Sequence, residues 1–423
     1  MKKKSLWTSP SILSLPLLFF IYLLFDAALA PPKLVSEYKA DPTVFNGENA
    51  YNILRELIPQ NLPHPVGSIE NKRVRDRIAG KLKEAGYLPE IQADFVCGTL
   101  TPACADIENI IVRLPGVNTG NNNAILLMAH YDSTPATPGA GDDMAAVAAL
   151  IEVASRLQRS PTYQNDIIFL FTDGEEVGLL GATGFVHKHP LFSTVKLVFN
   201  FEGRGASGPS MLFETGKQNG HIIRQFSKAS QAPHGNSFFY EVYKNMPNDT
   251  DFSIFRNEGV SGLNFAFGGH ASHYHSAIDK VENISPNSIQ HHGQNAMDAI
   301  SAFGNSDLNA LHSEDRVFFD IFSMFFIHWS VSTSWALIIL AFTGFILVIW
   351  SNKRRNQLRL GFLLVSMPLG IFMIMVFLIG GWLLTWPLAD WPLLEGLDHA
   401  DPAASRLSLL FFVFVIGLMM SSL

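Results

Sequence analysis

Apolar residues are unevenly spread along the chain. They crowd into the first thirty residues and the last hundred, and between these ends they recur with the periods of secondary structure. Three lysines within Met1–Lys4 precede an apolar run from Ile12 to Phe25 that ends in Asp26-Ala-Ala-Leu-Ala30. Residues 1–30 thus read as an uncleaved anchor or as a signal peptide with an exit near Ala28–Ala30, the anchor being preferred once Leu6 and Trp7 lengthen the run. Both readings leave the lysines in the cytoplasm and the following domain outside. At the other end, residues 331–423 hold three apolar runs: Val331 to Trp350, Leu360 to Leu384 and Leu407 to Met420. Lys353, Arg354, Arg355 and Arg359 follow the first run and mark a cytoplasmic loop, which again places Ser330 outside. Residues 317–330, rich in Phe, are expected to lie along the outer membrane interface.

Residues 35–310 read as a soluble domain. Asn71 to Ala85 predicts an amphipathic helix with Val74, Ile78 and Leu82 on one face. Ala124 to Ala129 is a short apolar run ending in His130, and Ala145 to Leu157 predicts a helix. Asp166 to Phe171 predicts a buried strand ending in Thr172-Asp-Gly-Glu-Glu176, and Val195 to Phe201 predicts another ending in Glu202. Strands alternating with helices imply an α/β fold, a mostly parallel central sheet flanked by helices. Ligands bind such sheets beyond the carboxyl ends of the strands. Here three successive strands each deliver a His or a carboxylate at that end.

Composition sharpens this division. Of 423 residues, 48% are hydrophobic and 16% charged, against about 25% charged in an average soluble domain. The net charge of −7 and the lack of a Lys/Arg cluster in mid-chain give no footprint for a nucleic-acid partner. The two cysteines, Cys97 and Cys104, could close a small disulfide loop in an oxidising compartment or remain two reduced thiols.

The candidate chemistry lies in five short segments: His130-Tyr131-Asp132, Pro138 to Asp143, Glu175-Glu176, Glu202, and His273-Tyr274-His275-Ser276. Each has an ordinary structural alternative. His130 could be a strand-end histidine, Glu175-Glu176 a solvated helix start, Asp142 an N-cap, and Glu202 a partner of Arg204. His270 and His273 compete with His275, and Thr250-Asp251-Phe252 could line a pocket or cap a loop. His291-His292 reads as a solvated helix face. Taken together, two histidines with several carboxylates suit zinc, and bridging carboxylates suit a metal pair able to clamp the attacking and leaving oxygens of a hydrolysis.

The segments Met128-Ala-His-Tyr-Asp132, Pro138-Gly-Ala-Gly-Asp-Asp143, Phe171-Thr-Asp-Gly-Glu-Glu-Val-Gly178, Asn200-Phe-Glu202 and Tyr274-His-Ser276 resemble, in order and spacing, the M28 family of zinc peptidases. Pro63-His-Pro-Val-Gly-Ser68 adds to the likeness, which covers about residues 45–305. Fusion to membrane helices is similar to the membrane-bound branch of that family, which includes endoplasmic-reticulum metallopeptidases and bacterial relatives. The resemblance implies two zinc ions. His130, Asp142 and Glu202 would hold one; Glu176 and His275 would hold the other, with Asp142 bridging. It implies Glu175 as general base, Asp132 orienting His130, a cis peptide after Asp142, and Tyr274 hydrogen-bonding the oxyanion. Glu202 stands where many of the family's aminopeptidases have Asp, and Met144 follows the Asp pair where small or polar residues are usual. The function expected is an aminopeptidase acting on peptides outside the cytoplasm, in a bacterial periplasm or an organelle lumen. Glutaminyl cyclisation with one zinc and a non-catalytic, receptor-like role are the alternatives. Every expected ligand position is filled, which weighs against the latter.

Overall fold

A computed structural model of the protein describes Pro31 and residues 44–99, 101–118, 123–159, 163–246 and 249–355. The N-terminal apolar run and the runs beyond residue 355 lie outside these. In chain order the principal elements are α1 (Gly47–Leu57), α2 (Ile69–Glu84), β1 (Glu90–Cys97), β2 (Cys104–Leu114), β3 (Ala124–His130), α3 (Ala145–Leu157), β4 (Asp166–Thr172), α4 (Leu180–Lys188) and β5 (Val195–Gly203). They continue with β6 (Met211–Thr215), α5 (Gly220–Ala229), α6 (Ser237–Tyr243), α7 (Asp251–Asn257), β7 (Ser261–Phe267) and α8 (Pro286–Phe303). A hairpin, β8 (Arg316–Ile321) and β9 (Phe325–Ser330), leads into α9 (Val331–Arg354).

Seven strands form one sheet in the order β1-β2-β4-β3-β5-β7-β6. The four central strands are parallel, and the antiparallel pairs are confined to the two edges. The pattern of β3 explains its central place. Ile125, Leu127 and Ala129 pack into one core while Leu126 and Met128 pack into another, so both pleated faces are apolar. Helices α1, α2, α3 and α8 cover the first face, whose core includes Leu54, Ile78, Val147 and Phe199. Helices α4 and α7 cover the second, through Phe185 and Phe255. The register brings the strand ends level: His130 lies beside Thr172 of β4, and Met128 beside Asn200 of β5.

Helix α2 starts at Ile69, two residues before the Asn71 expected from the sequence, because the Ser68 side chain caps it, accepting from the Asn71 N–H at 3.0 Å. Its buried face is Asn71, Val74, Ile78 and Leu82. Helix α3, built largely of Ala, Val and Leu, is buried on nearly all sides. Its one buried acid, Glu152, accepts from Arg156 at 2.6 Å and from the Asn49 amide at 2.5 Å.

The described residues fall into two compact units, dividing between His328 and Trp329. In the first, the hairpin that contains residues 317–328 buries Phe318. In the second, α9 is long and apolar enough to cross a membrane, by length and composition. Ser330 caps it by accepting from the Thr333 N–H.

Cys97 and Cys104 face each other across the β1–β2 pair and are disulfide-bonded. The bridge closes the hairpin tip, whose Thr101 hydroxyl reaches the Val177 carbonyl at 3.3 Å. A loop this short restricts the unfolded chain by about 2 kcal/mol. The double variant C97S/C104S should therefore lose roughly that much stability in denaturant unfolding of the purified protein. An unchanged midpoint and slope would refute the contribution.

Candidate metal centre

Three strand ends and two loops converge on one cleft. His130 closes β3, Glu175 and Glu176 lie on the turn after β4, and Glu202 closes β5. The loop after Gly139 brings Asp142, and the loop after β7 brings His275. His130 Nε2 lies 3.1 Å from Asp142 Oδ1 and 3.7 Å from Glu202 Oε2. His275 Nε2 lies 3.2 Å from Asp142 Oδ2 and 3.1 Å from Glu176 Oε2. Asp142 thus turns one oxygen toward each histidine. Its peptide bond to Asp143 is cis.

The backbone makes this placement possible. A β-carbon on Gly203 would lie 1.8 Å from the Gly141 carbonyl oxygen, so only glycine lets the Asp142 loop approach the end of β5. Asp279 holds the same loop from below, accepting from the N–H groups of Gly141 (2.7 Å) and Asp142 (3.3 Å). Asp132 does two things. Its backbone carbonyl lies 3.0 Å from His130 Nδ1, which fixes the ring. Its carboxylate accepts from the N–H groups of Glu175 (3.0 Å) and Glu176 (3.3 Å), which fixes the turn. The Tyr274 ring stacks on His275 with centroids 3.8 Å apart, and the Arg204 guanidinium lies 4.7 Å over the Tyr274 ring. The cleft encloses about 330 Å³, lined by Glu175, Glu176, Glu202, Arg204, Thr250 and Tyr274 among others.

The electrostatics follow from crowding four carboxylates out of water. Burial pushes Glu202 up to about 8, with Asp142 adding to the shift and His130 opposing it. Burial also drives Glu175 well above the usual carboxylate range, reinforced by Glu202, Asp251 and Glu176. For the histidines burial acts downward but is outweighed. The Glu175 charge and the Asp132 and Asp142 contacts raise His130, and the Asp142 and Glu176 contacts raise His275 to about 9. Burial would raise Asp142, yet the two imidazoles hold it below its ordinary value.

This donor set fits divalent cations. His130, Asp142 and Glu202 form one group of three ligand atoms within 4.8 Å of one another, and Asp142, Glu176 and His275 form a second. Glu176 Oε1 is buried without a hydrogen-bond partner, a state that costs free energy unless a cation meets it. Imidazole nitrogen with carboxylate oxygen is a donor mixture suited to zinc.

All eight residues singled out from the sequence, His130, Asp132, Asp142, Glu175, Glu176, Glu202, Tyr274 and His275, lie in or against this cleft. Thr250 lines the cleft, whereas Asp251 is buried beneath it, accepting from the Thr172 hydroxyl at 2.5 Å. Met144 is fully buried in the core under the site. The reading of His291-His292 as a solvated face is wrong. Both are buried in α8, where His292 Nε2 lies 3.0 Å from the Glu202 carbonyl and His291 Nε2 lies 2.8 Å from the Ala232 carbonyl. Burial pushes His291 down to about 4 and His292 down to about 3. The signal was present: across Pro286–Phe303 the only charged residue is Asp298, which is too few for a solvated helix. Sequence reasoning also gave no structural task to Asp173, whose carboxylate accepts from the Asn71 amide (2.9 Å) and the Glu108 N–H (3.0 Å) and so ties α2 to the turn bearing Glu175.

A parallel sheet that delivers two histidines and four carboxylates to one cleft defines a candidate metal centre. Residues 109–300 match Peptidase family M28. Among its relatives are endoplasmic reticulum metallopeptidase 1 of Mus musculus, 33% identical over 239 residues, and a vacuolar membrane protease of Candida albicans, 34% identical over 241 residues. These matches cover 55% and 56% of this chain but only 26% and 28% of those proteins. In fold the chain is similar to a zinc aminopeptidase from Bacillus subtilis (TM-score 0.51, 15% identity, 64% of this chain and 98% of that one). It is also similar to a glutaminyl cyclase from Porphyromonas gingivalis (TM-score 0.50, 19% identity, 61% and 98%).

In the metal-free protein Glu202 and His275, at about 8 and about 9, hold protons at neutral pH. A cation needs both deprotonated. Zinc loading at neutral pH should therefore release protons, and the release should shrink as pH rises through 8 and 9. Calorimetry in buffers of different ionisation enthalpy reads this, and a pH-independent absence of release would contradict it.

Proposed function

We propose that this chain is a membrane-anchored, two-zinc peptidase, an aminopeptidase acting on peptides on the non-cytoplasmic side. The observation that carries the reading is Asp142, whose two oxygens face two different histidines, each with its own second carboxylate. His130, Asp142 and Glu202 would hold one ion, and Asp142, Glu176 and His275 the other. Bound zinc would supply Lewis acidity at the scissile carbonyl and ease deprotonation of the attacking water.

The chain's own residues do the rest. Glu175 belongs to neither ligand group and lines the cleft. Its raised proton affinity suits it to take the proton of the attacking water and return it to the leaving amine. Asp132 keeps Glu175 and His130 in place through one carboxylate and one carbonyl. The Tyr274 phenol, held protonated by burial, donates a hydrogen bond to the oxyanion. The carboxylate-rich cleft favours the ammonium group of a free peptide N-terminus, which supports aminopeptidase action.

Topology follows from charge and chemistry together. Lys353, Arg354 and Arg355 end α9, and basic residues flank the cytoplasmic ends of spanning helices. The disulfide in the catalytic unit agrees with an oxidising compartment on the other side. That compartment is the periplasm of a bacterial inner membrane, or an organelle lumen in a eukaryotic cell.

The test uses the full chain in detergent, with metal content and hydrolysis of aminoacyl-p-nitroanilides read side by side. The native protein should hold about two zinc ions and lose activity to chelator. E175Q should keep its metal and lose turnover on the order of 1000-fold. Aminoacyl release by E175Q at the native rate overturns the mechanism. One zinc, no aminoacyl release and cyclisation of an N-terminal glutaminyl peptide would instead establish the cyclase reading.

A further inference from the structure

Large apolar side chains are exposed on one face of the catalytic unit in a density that its own fold does not explain. Phe238, Phe239 and Val242 stand out from α6, Phe322 and Met324 from the turn between β8 and β9, and Phe325 from the first position of β9. Phe238 is 75% exposed, Met324 71% and Phe325 61%. The start of α6 is tied to the hairpin. The Ser237 hydroxyl accepts from the Phe318 N–H at 2.7 Å, and the Gly235 N–H donates to Asp320 at 3.0 Å. His234 Nδ1 lies 3.0 Å from the Ser323 hydroxyl. The turn holds Phe322 and Ser323 in the left-handed region, at φ 54° and 51°. A hairpin in water gives such positions to glycine or asparagine. Here the turn displays a phenylalanine instead.

Two further observations say what covers this face. The first is covalent: β9 runs directly into α9, so the hairpin is joined to the apolar helix with no intervening residue. The second is charge. At the other end of β9, His328 is held below its ordinary value by partial burial and then by Arg316, Arg224 and Lys228. Arg316 Nε donates to His328 Nδ1 at 2.9 Å. Aromatic and Met side chains beside a basic cluster match the two layers of a leaflet surface, the acyl boundary and the anionic headgroups.

We propose that the outer face of α6 and the β8–β9 turn is a lipid-docking surface that seats the catalytic unit on the leaflet from which α9 starts. The proposal rests on the reading of α9 as a membrane span. It gives the cleft a fixed setting near the headgroups and directs its action to peptides close to the membrane.

The test places an environment-sensitive fluorophore on single introduced thiols in the full chain, the native cysteines being consumed by their disulfide. The protein is reconstituted in vesicles of phosphatidylethanolamine and phosphatidylglycerol carrying spin-labelled lipids. F238C and M324C report the proposed surface. L88C, 93% exposed and just before β1 at the opposite edge of the sheet, is the water reference. L340C, within α9, reports the span. The expected result is a blue-shifted emission at F238C and M324C with quenching by shallow spin labels at least twice that at L88C, and quenching of L340C by deep labels. Quenching at L340C with F238C and M324C behaving like L88C overturns the docking and leaves the span intact. Unquenched L340C overturns the span and the docking with it. Shielded but unquenched F238C and M324C would mean that protein, either a second copy or another chain, covers the face, and would overturn the lipid assignment. Aminopeptidase assay of each labelled protein checks that the fold survives.

Discussion

The placement of Asp142 is the constraint on which the rest of the catalytic unit depends. A carboxylate that faces two histidines at 3.1 and 3.2 Å must leave water, and almost every nearby group opposes that. Asp143 and Glu202 are buried close by, Glu175 and Glu176 are half-buried at the cleft, and all four are raised in proton affinity. The fold answers with geometry. Gly141 and Gly203 allow the loop to press against β5, and Asp279 receives its two N–H groups from the far side. The two imidazoles then favour the ionised form of Asp142. Desolvation favours the protonated form of the carboxyls that remain, and a divalent cation would favour their ionised form instead.

The scaffold around this point is stiff because its strands are apolar on both faces. That is also why so much of it could be read from the residues. β3, β4 and β5 are continuous apolar runs, and a run that ends abruptly in His or Glu marks both the strand end and the site. Helix α3 begins and ends at the residues its composition suggests. The antiparallel edges were less legible. β1 and β2 alternate burial and exposure imperfectly, and their pairing depends on a hairpin whose closure is a disulfide rather than a strong turn signal. The buried pair His291 and His292 escaped because polar residues in a helix suggest water. Their partners, a backbone carbonyl of Ala232 and one of Glu202, come from segments distant in sequence. Long-range satisfaction of a buried imidazole leaves no local periodicity to detect.

The same long-range logic joins the sheet edge to the cleft. Thr101, on the loop closed by Cys97 and Cys104, lines the cleft beside Val177 and Gly178. A β-carbon on Gly178 would fall 1.9 Å from the Thr101 hydroxyl. The wall of the cleft next to Glu175 and Glu176 is therefore built by an edge hairpin rather than by the central strands. Edges vary more easily than centres, so this wall can change without disturbing the candidate ligand groups.

Glu202 shows how a departure from the pattern of the family that the chain resembles is accommodated. A glutamate has one more methylene than the aspartate found in many M28 aminopeptidases, and a loose longer side chain would place its oxygens over a wider range. Here it is tethered. The Asn200 amide donates to Oε1 at 2.9 Å, which leaves Oε2 turned toward His130. Asn200 in turn donates to Asn264 at 3.1 Å, and Asn264 donates to Thr250 in the cleft and to Glu214, each at 2.9 Å. Glu214 is itself paired with Arg256. The added length at residue 202 is thus fixed by a buried network of amides running from β5 through β7 to the start of α7. A network in which each member satisfies the next restricts rotamers more than any single contact. The position of the Glu202 carboxylate is consequently set by the sheet, and the candidate ligand group of His130, Asp142 and Glu202 stays compact despite the longer side chain.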